Sequence, residues 1–190
     1  MTRVLIVGLG NMGSSHALAH HHHPDAQIVG LVNRSPVNLP EALQGYPLYN
    51  SFEEGMATRP DLVVVATYSD SHADYACAAM DQGAHVFVEK PVVTRSVEAE
   101  NLMDMAKKSG LTIVVDHTIL YNNSVQKIKE LISAKRFGKL NYIDCTRINL
   151  GIYQKDVNVM WDLAAHDISM INYWTNERPL TVRAIGKLNK

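Results

Sequence analysis

Lys90, Asp162 and His166 are the residues of this chain whose types and spacing could do chemistry. Lys90 comes just after the strand-like run His85–Val88, with Glu89 between, and precedes Pro91, so its ammonium should emerge at the end of a buried strand beside a neighbour that stiffens the backbone. A cation so placed can hold a hydroxyl or carbonyl oxygen and stabilise negative charge developing on it. Asp162 and His166 stand four residues apart, one turn of a helix. A carboxylate one turn before a histidine can accept its N–H, fix the tautomer and raise its basicity, as a general base for a hydroxyl requires. Taken singly these patterns are common: a solvated strand-end lysine and a satisfied helix histidine are the plain alternatives.

A second group of residues could bind rather than react. Residues 4–7 form an apolar run that ends in Gly8, Gly10 and Gly13, a G-x-G-x-x-G. Gly8 allows a sharp turn, Gly10 carries no Cβ to hold a pyrophosphate away, and Gly13 lets the following helix lie close to the strand. That helix should begin near Asn11 and Met12, with its free amides and positive end aimed at phosphates. Asn33 lies 20 residues beyond Gly13, where such a fold meets the adenosine ribose. No carboxylate stands there; Asn33 is followed by Arg34 and Ser35. An Arg–phosphate bond is worth about 1.5–3 kcal/mol, so NADP(H) is expected over NAD(H). The alternative has Arg34 in solvent and Asn33 serving a free 2′-hydroxyl.

These residues need a scaffold that brings them to one edge. Buried strands are predicted over 4–7, 27–32, 61–66, 85–88 and 111–115, and helices from about 11, over 71–81 capped by Asp70 or Ser71 and closed by Gly83, and over a capped 96–108 that stops at Gly110. Residues 36–60, with four prolines, read as a loop-rich crossover with one or two short helices. The alternation predicts an α/β Rossmann domain over 1–117, a doubly wound parallel sheet whose ligand edge carries Thr67, Tyr68 and Lys90. Beyond 117 the pattern changes: a helix over 124–134 ended by Gly138, a strand over 140–150, a helix over 160–174 and a strand over 180–188, the start of an α+β domain spanning 118–190. On the helix over 160–174, Trp161, Ala164, Ala165, Ile168, Ile171 and Trp174 form an apolar stripe. Asp162, His166, Ser169 and Tyr173 share the other face.

Composition narrows the function. With 46% hydrophobic residues, 19% charged residues and a net charge of −1, nothing favours nucleic acid or an anionic membrane as partner. No apolar run approaches a membrane span and no signal-peptide layout opens the chain, which predicts a cytoplasmic protein. Cys77 and Cys145 lack metal-ligand spacing and read as reduced thiols. The four histidines 20–23 cannot converge on one ion from consecutive helical positions, so no metal is expected.

In order, GLGNMGSSH at 8–16, ATYSDSH at 66–72, GAHVFVEKP at 83–91 and WDLAAHDIS at 161–169 resemble the Gfo/Idh/MocA oxidoreductases, the glucose-fructose oxidoreductase and inositol dehydrogenase family. The resemblance covers essentially the whole chain. It implies a cis Lys90–Pro91 bond, Lys90 at the nicotinamide and the substrate hydroxyl, Asp162 and His166 in proton transfer, and His72, Glu89 and Pro91 beside the cofactor. Residues 147–169 look most like members acting on nucleotide-linked sugars at the 3-position, and Arg147, Asn149, Tyr153 and Asn158 are either substrate contacts or surface polar residues. Family members continue well beyond the equivalent of Lys190 with a large antiparallel sheet. The resemblance therefore implies either a shortened or fragmentary member or a chain whose sheet another copy completes, and a homo-oligomer is expected. An NAD(P)-dependent oxidoreductase of sugars or nucleotide-sugars follows. The alternatives are a non-catalytic dinucleotide-binding or regulatory module, and a reductase of a non-sugar substrate.

Overall fold

The computed structural model describes residues 1–148 and 157–186. Six strands, β1 (Thr2–Val7), β2 (Ala26–Val32), β3 (Leu48–Tyr49), β4 (Leu62–Val65), β5 (His85–Val88) and β6 (Ile113–Val115), form one parallel sheet in the order β3-β2-β1-β4-β5-β6. This is the doubly wound Rossmann arrangement, whose strand order reverses beside β1 and leaves a ligand crevice at the strands' C-terminal ends. The period of two along each strand divides the core. Leu5, Val7, Val63, Val65, Val86 and Val88 join one buried cluster with Ala76, Met80 and Leu102, while Val4, Ile6 and Val64 join another with Ala17 and Ile28. Both faces are thus covered, which is why these strands read as continuous apolar runs.

The helices α1 (Asn11–His21), α2 (Phe52–Met56), α3 (His72–Asp81) and α4 (Ser96–Ser109) connect the strands. Gly110 ends α4 in the left-handed conformation at φ 67°, as predicted. Three local expectations need correction. Ser71 does not cap α3: a 3-10 turn over Ser69–Ser71 puts its backbone in the helical region, and its hydroxyl donates to the Tyr68 carbonyl instead, at 2.8 Å. Helix α4 has Arg95 at its N-cap and no side-chain cap, because Ser96 is already its first helical residue. The crossover 36–60 contains the two-residue edge strand β3 besides its short helices.

Two compact units divide the chain, one of Met1–Asp116 with Ile152–Asp162, the other of His117–Gly151 with Leu163–Lys190. The second holds α5 (Asn123–Ser133) and α6 (Ala165–Thr175) together through Trp174, whose Nε1–H donates to the Val125 carbonyl at 3.0 Å, and Tyr173, whose hydroxyl donates to Gln126 Oε1 at 2.7 Å. The helix expected over 160–174 begins instead as a π-helical turn, Met160–Ala164, and continues as α6. No residue of α6 is buried, so the apolar stripe stays partly open, with Ile168 51% exposed. The strands expected over 140–150 and 180–188 do not form among the described residues, 140–148 and 180–186. A strand exists only through pairing with a neighbour, and these stretches do not pair; Leu180, Val182 and Ile185 are exposed.

Candidate active site

Val7, Val65 and Val88 lie in one row across the sheet, so the segments that follow them emerge at the same edge. From β1 comes the glycine loop. Gly8 adopts φ +88°, and a Cβ on it would stand 2.6 Å from the Ala66 carbonyl oxygen. Gly10, the N-cap of α1, has nothing within 4 Å of a built Cβ, and no side chain caps the first turn that carries Asn11 and Met12. Its amides face an open cradle suited to an anion. Asn33, at the end of β2, is committed at both ends of its amide: Oδ1 accepts from the Leu9 N–H at 3.0 Å and Nδ2 donates to the Ser35 carbonyl at 2.7 Å. It braces the glycine loop, while Arg34 and Ser35 are exposed.

From β4 come Thr67 and Tyr68. The Thr67 hydroxyl bonds with that of Ser71 at 2.8 Å, and Tyr68 is exposed. His72 is buried, its ring set between the carbonyls of Thr67, at 3.0 Å, and Pro91, at 2.9 Å. From β5 come Glu89, Lys90 and Pro91, and the Lys90–Pro91 bond is cis. The Lys90 ammonium donates to the Asp162 carboxylate and to the Asp162 backbone carbonyl, both at 2.9 Å, with each side chain about one-fifth exposed. Asn158 makes this possible, since its Oδ1 accepts from the Met160 and Trp161 amides and starts the turn that carries Asp162.

The Glu89 carboxylate turns inward. It accepts from His16 Nε2 at 2.8 Å and from the Lys90 amide at 3.1 Å, with the Asp116 carboxylate 3.4 Å from the same His16 nitrogen. Burial alone would raise the Glu89 pKa. The hydrogen bond and charge of His16, with further bonds from Asp116 and the Lys90 amide, hold it below the usual carboxylate value. Neither His16 nor Asp116 was singled out as a site residue by the sequence. The signal was in the register: Val88 pairs with Val115, so the acidic residues that follow them, Glu89 and Asp116, end side by side.

The expected trio divides between the units. Lys90 and Asp162 meet in the first; His166 lies half-buried on α6 in the second, its carbonyl accepting from Ser169 Oγ at 2.7 Å. Of the residues weighed as substrate contacts, Arg147 is held by Asp167 through two bonds of 2.8 and 2.9 Å, which raise its pKa further, and Asn158 is the cap just described. Asn149 and Tyr153 lie outside the described residues. The histidines of the 20–23 run have separate partners: His20 the His16 carbonyl, His21 the Tyr46 hydroxyl and His23 the Asp25 amide. Cys77 is partly buried on α3, where burial, then Asp81 and Asp74, push its thiol pKa up. No helix among the described residues is long and apolar enough to cross a membrane.

Comparison with known proteins agrees with this frame. Residues 2–117 match the Gfo/Idh/MocA family, described as an oxidoreductase family with an NAD-binding Rossmann fold. The chain is 24% identical over 190 residues to a UDP-N-acetylglucosamine 3-dehydrogenase of Acidithiobacillus ferrooxidans, covering 97% of this chain and 58% of that protein. It is 32% identical over 101 residues to the scyllo-inositol 2-dehydrogenase (NADP(+)) IolW of Bacillus subtilis, covering 53% of this chain and 27% of the other. Among solved structures, the WlbA dehydrogenase of Bordetella pertussis in complex with NADH and UDP-GlcNAcA matches with a TM-score of 0.63 and 28% identity, over 73% of this chain and 44% of that one. The chain thus spans about half the length of these relatives or less.

Proposed function

On the premise that the chain belongs to this oxidoreductase family with an NAD-binding Rossmann fold, we propose that it transfers a hydride between a nicotinamide dinucleotide and a CH–OH or carbonyl carbon of a sugar or nucleotide-sugar. The observation that carries the reading is the part-buried Lys90–Asp162 pair at the sheet edge that also bears the glycine loop. The open cradle at Gly10 fits a pyrophosphate, with Gly8, Gly10, Asn11, Met12 and Gly13 as its binding residues. Thr67, Tyr68, His72 and Pro91 line the opposite side of this site in the proposal. When bound, the nicotinamide supplies the hydride donor or acceptor.

The protein's own part is to hold an oxygen and move a proton. Asp162 keeps the Lys90 ammonium at a fixed place, where it can hold the substrate oxygen and stabilise charge on it. His166 exchanges the hydroxyl proton at its ring. Because Asn33 is already used to brace the glycine loop, choice at the ribose falls to Arg34, which supports NADP(H) over NAD(H). Residues 118–190 are read as the start of a substrate and oligomerisation domain, and a second copy of the chain is the expected partner. The relatives named for UDP-N-acetylglucosamine and for scyllo-inositol support the sugar class. The test is turnover of NADPH or NADP+ by the full chain against a panel of sugars, UDP-sugars and their keto forms. Lys90→Met should lower kcat by about 10²- to 10³-fold, and His166→Ala should lower it strongly at unchanged dinucleotide affinity. Parental turnover in either variant removes that residue from the mechanism, and a chain that binds dinucleotide but turns over nothing is a binding module.

A further inference from the structure

The cluster of His16, Glu89 and Asp116 has no part in the reaction as written above, yet it joins three elements at the residue before Lys90. His16 comes from α1, Glu89 from the end of β5 and Asp116 from the end of β6. All three are largely buried, and their donor atoms lie within 4.8 Å of one another. Stability alone does not account for such a cluster. Two carboxyls and an imidazole lose their hydration here, and apolar side chains of the same volume hold elements together as well or better.

What apolar residues could not do is grip a particular backbone amide. Glu89 divides its two oxygens: Oε1 accepts from His16 Nε2 at 2.8 Å, and Oε2 accepts from the Lys90 N–H at 3.1 Å. His16 is itself set, with its ring edge-on to Phe87 at 5.3 Å between centroids. The Asp116 carboxylate stands 3.4 Å from the same His16 nitrogen, so the imidazole lies between the two carboxyl groups. One residue further on, the Pro91 carbonyl is held by buried His72 at 2.9 Å. The Lys90–Pro91 segment is therefore gripped at its amide by Glu89, which His16 of α1 holds in turn, and at its carbonyl by His72 of α3.

We propose that His16, Glu89 and Asp116 form a clamp that positions Lys90 by fixing its backbone amide, with Glu89 as a positioning residue that does not touch the dinucleotide. The 2.8 Å separation of His16 and Glu89 is that of a direct hydrogen bond, shorter than two donors sharing a zinc ion would keep. The kinetic consequence rests on the hydride-transfer reading; the grip on the amide does not.

Two readouts on the full chain test the clamp. In the ¹⁵N-labelled protein, Glu89→Ala should speed hydrogen exchange at the Lys90 amide about tenfold or more. The same variant should lower kcat by about tenfold or more while dinucleotide affinity and KM change less than about threefold. Glu89→Gln keeps an acceptor oxygen and should restore most of both. Slow Lys90 exchange in Glu89→Ala overturns the clamp. So does a loss of dinucleotide affinity that matches the loss of kcat, which would place Glu89 on the cofactor. Equal damage in the Gln and Ala variants that only follows their melting temperatures reduces the cluster to a structural role. Stoichiometric zinc chloride binding that disappears in Glu89→Ala makes it a metal site. A chain with no turnover in which Glu89→Ala still frees the Lys90 amide sinks the hydride-transfer reading and supports the clamp.

Discussion

Gly13→Ala probes how tightly the dinucleotide loop is built. A Cβ at Gly13 would overlap the carbonyl oxygen of Gly8, stand 2.8 Å from that carbonyl's carbon and meet the Ala66 Cβ at 3.4 Å. The obstructing oxygen and carbon belong to backbone, which cannot rotate aside as the end of a flexible side chain can. Helix α1 must retreat from β1 by roughly an ångström, and overpacking of this kind costs about 1–3 kcal/mol. At ~3 kcal/mol the melting temperature of a chain this size falls by about 6–12 °C. Gly10→Ala is the matched control. Gly10 has an ordinary negative φ of −70° and nothing within 4 Å of a built Cβ. Its substitution loses only a glycine N-cap, ~1 kcal/mol or less, so melting should stay within about 4 °C of the parent. Dinucleotide affinity should nonetheless drop, because the new methyl occupies the pyrophosphate's approach. Far-ultraviolet circular dichroism melts and a nucleotide titration of both variants decide the matter. A Gly13→Ala protein that melts with the parent refutes the packing argument, and a Gly10→Ala protein that binds as tightly as the parent refutes the cradle.

Two further outcomes follow from side chains. Arg34→Ala should weaken NADPH about 10- to 100-fold and leave NADH unchanged; equal effects on the two nucleotides would remove Arg34 from cofactor choice. Glu89 titrates below its ordinary value in the folded chain. The stability it contributes is therefore full above about pH 4.3 and disappears as pH falls through its lower folded-state value. Glu89→Gln should flatten this acid limb in denaturation measured across pH 3–6, and an unaltered limb would contradict the hydrogen-bonded Glu89 carboxylate.

Much of the first unit was legible because its signals are local. A strand buried on both faces is apolar along its length, so residues 4–7 and 86–88 stand out without knowledge of their neighbours. The glycine loop is equally local, since a positive φ at Gly8 and the close approach at Gly13 admit no side chain. What escaped depends on partners. Strand β3 has only two residues and exists because Leu31 and Val32 offer it an edge. The stretches 140–148 and 180–186 have strand-like composition, but composition cannot supply a neighbour. Ser71 looked like a helix cap until the preceding 3-10 turn fixed its backbone. In the site, Lys90 was readable from its place near a strand end, whereas its ion pair with Asp162 was not, because 72 residues separate the two in sequence. The Glu89–Asp116 contact needs the β5–β6 register, which no single segment contains.

Every role proposed for Lys90, Asp162 and His166 depends on dinucleotide binding at the glycine loop. A parallel fluorescence titration of the folded full chain with NADPH and NADH tests it most directly. Saturable binding is expected, with NADPH tighter by about tenfold or more. A folded chain that saturates with neither nucleotide would contradict the cradle and every role assigned to Lys90, Asp162 and His166.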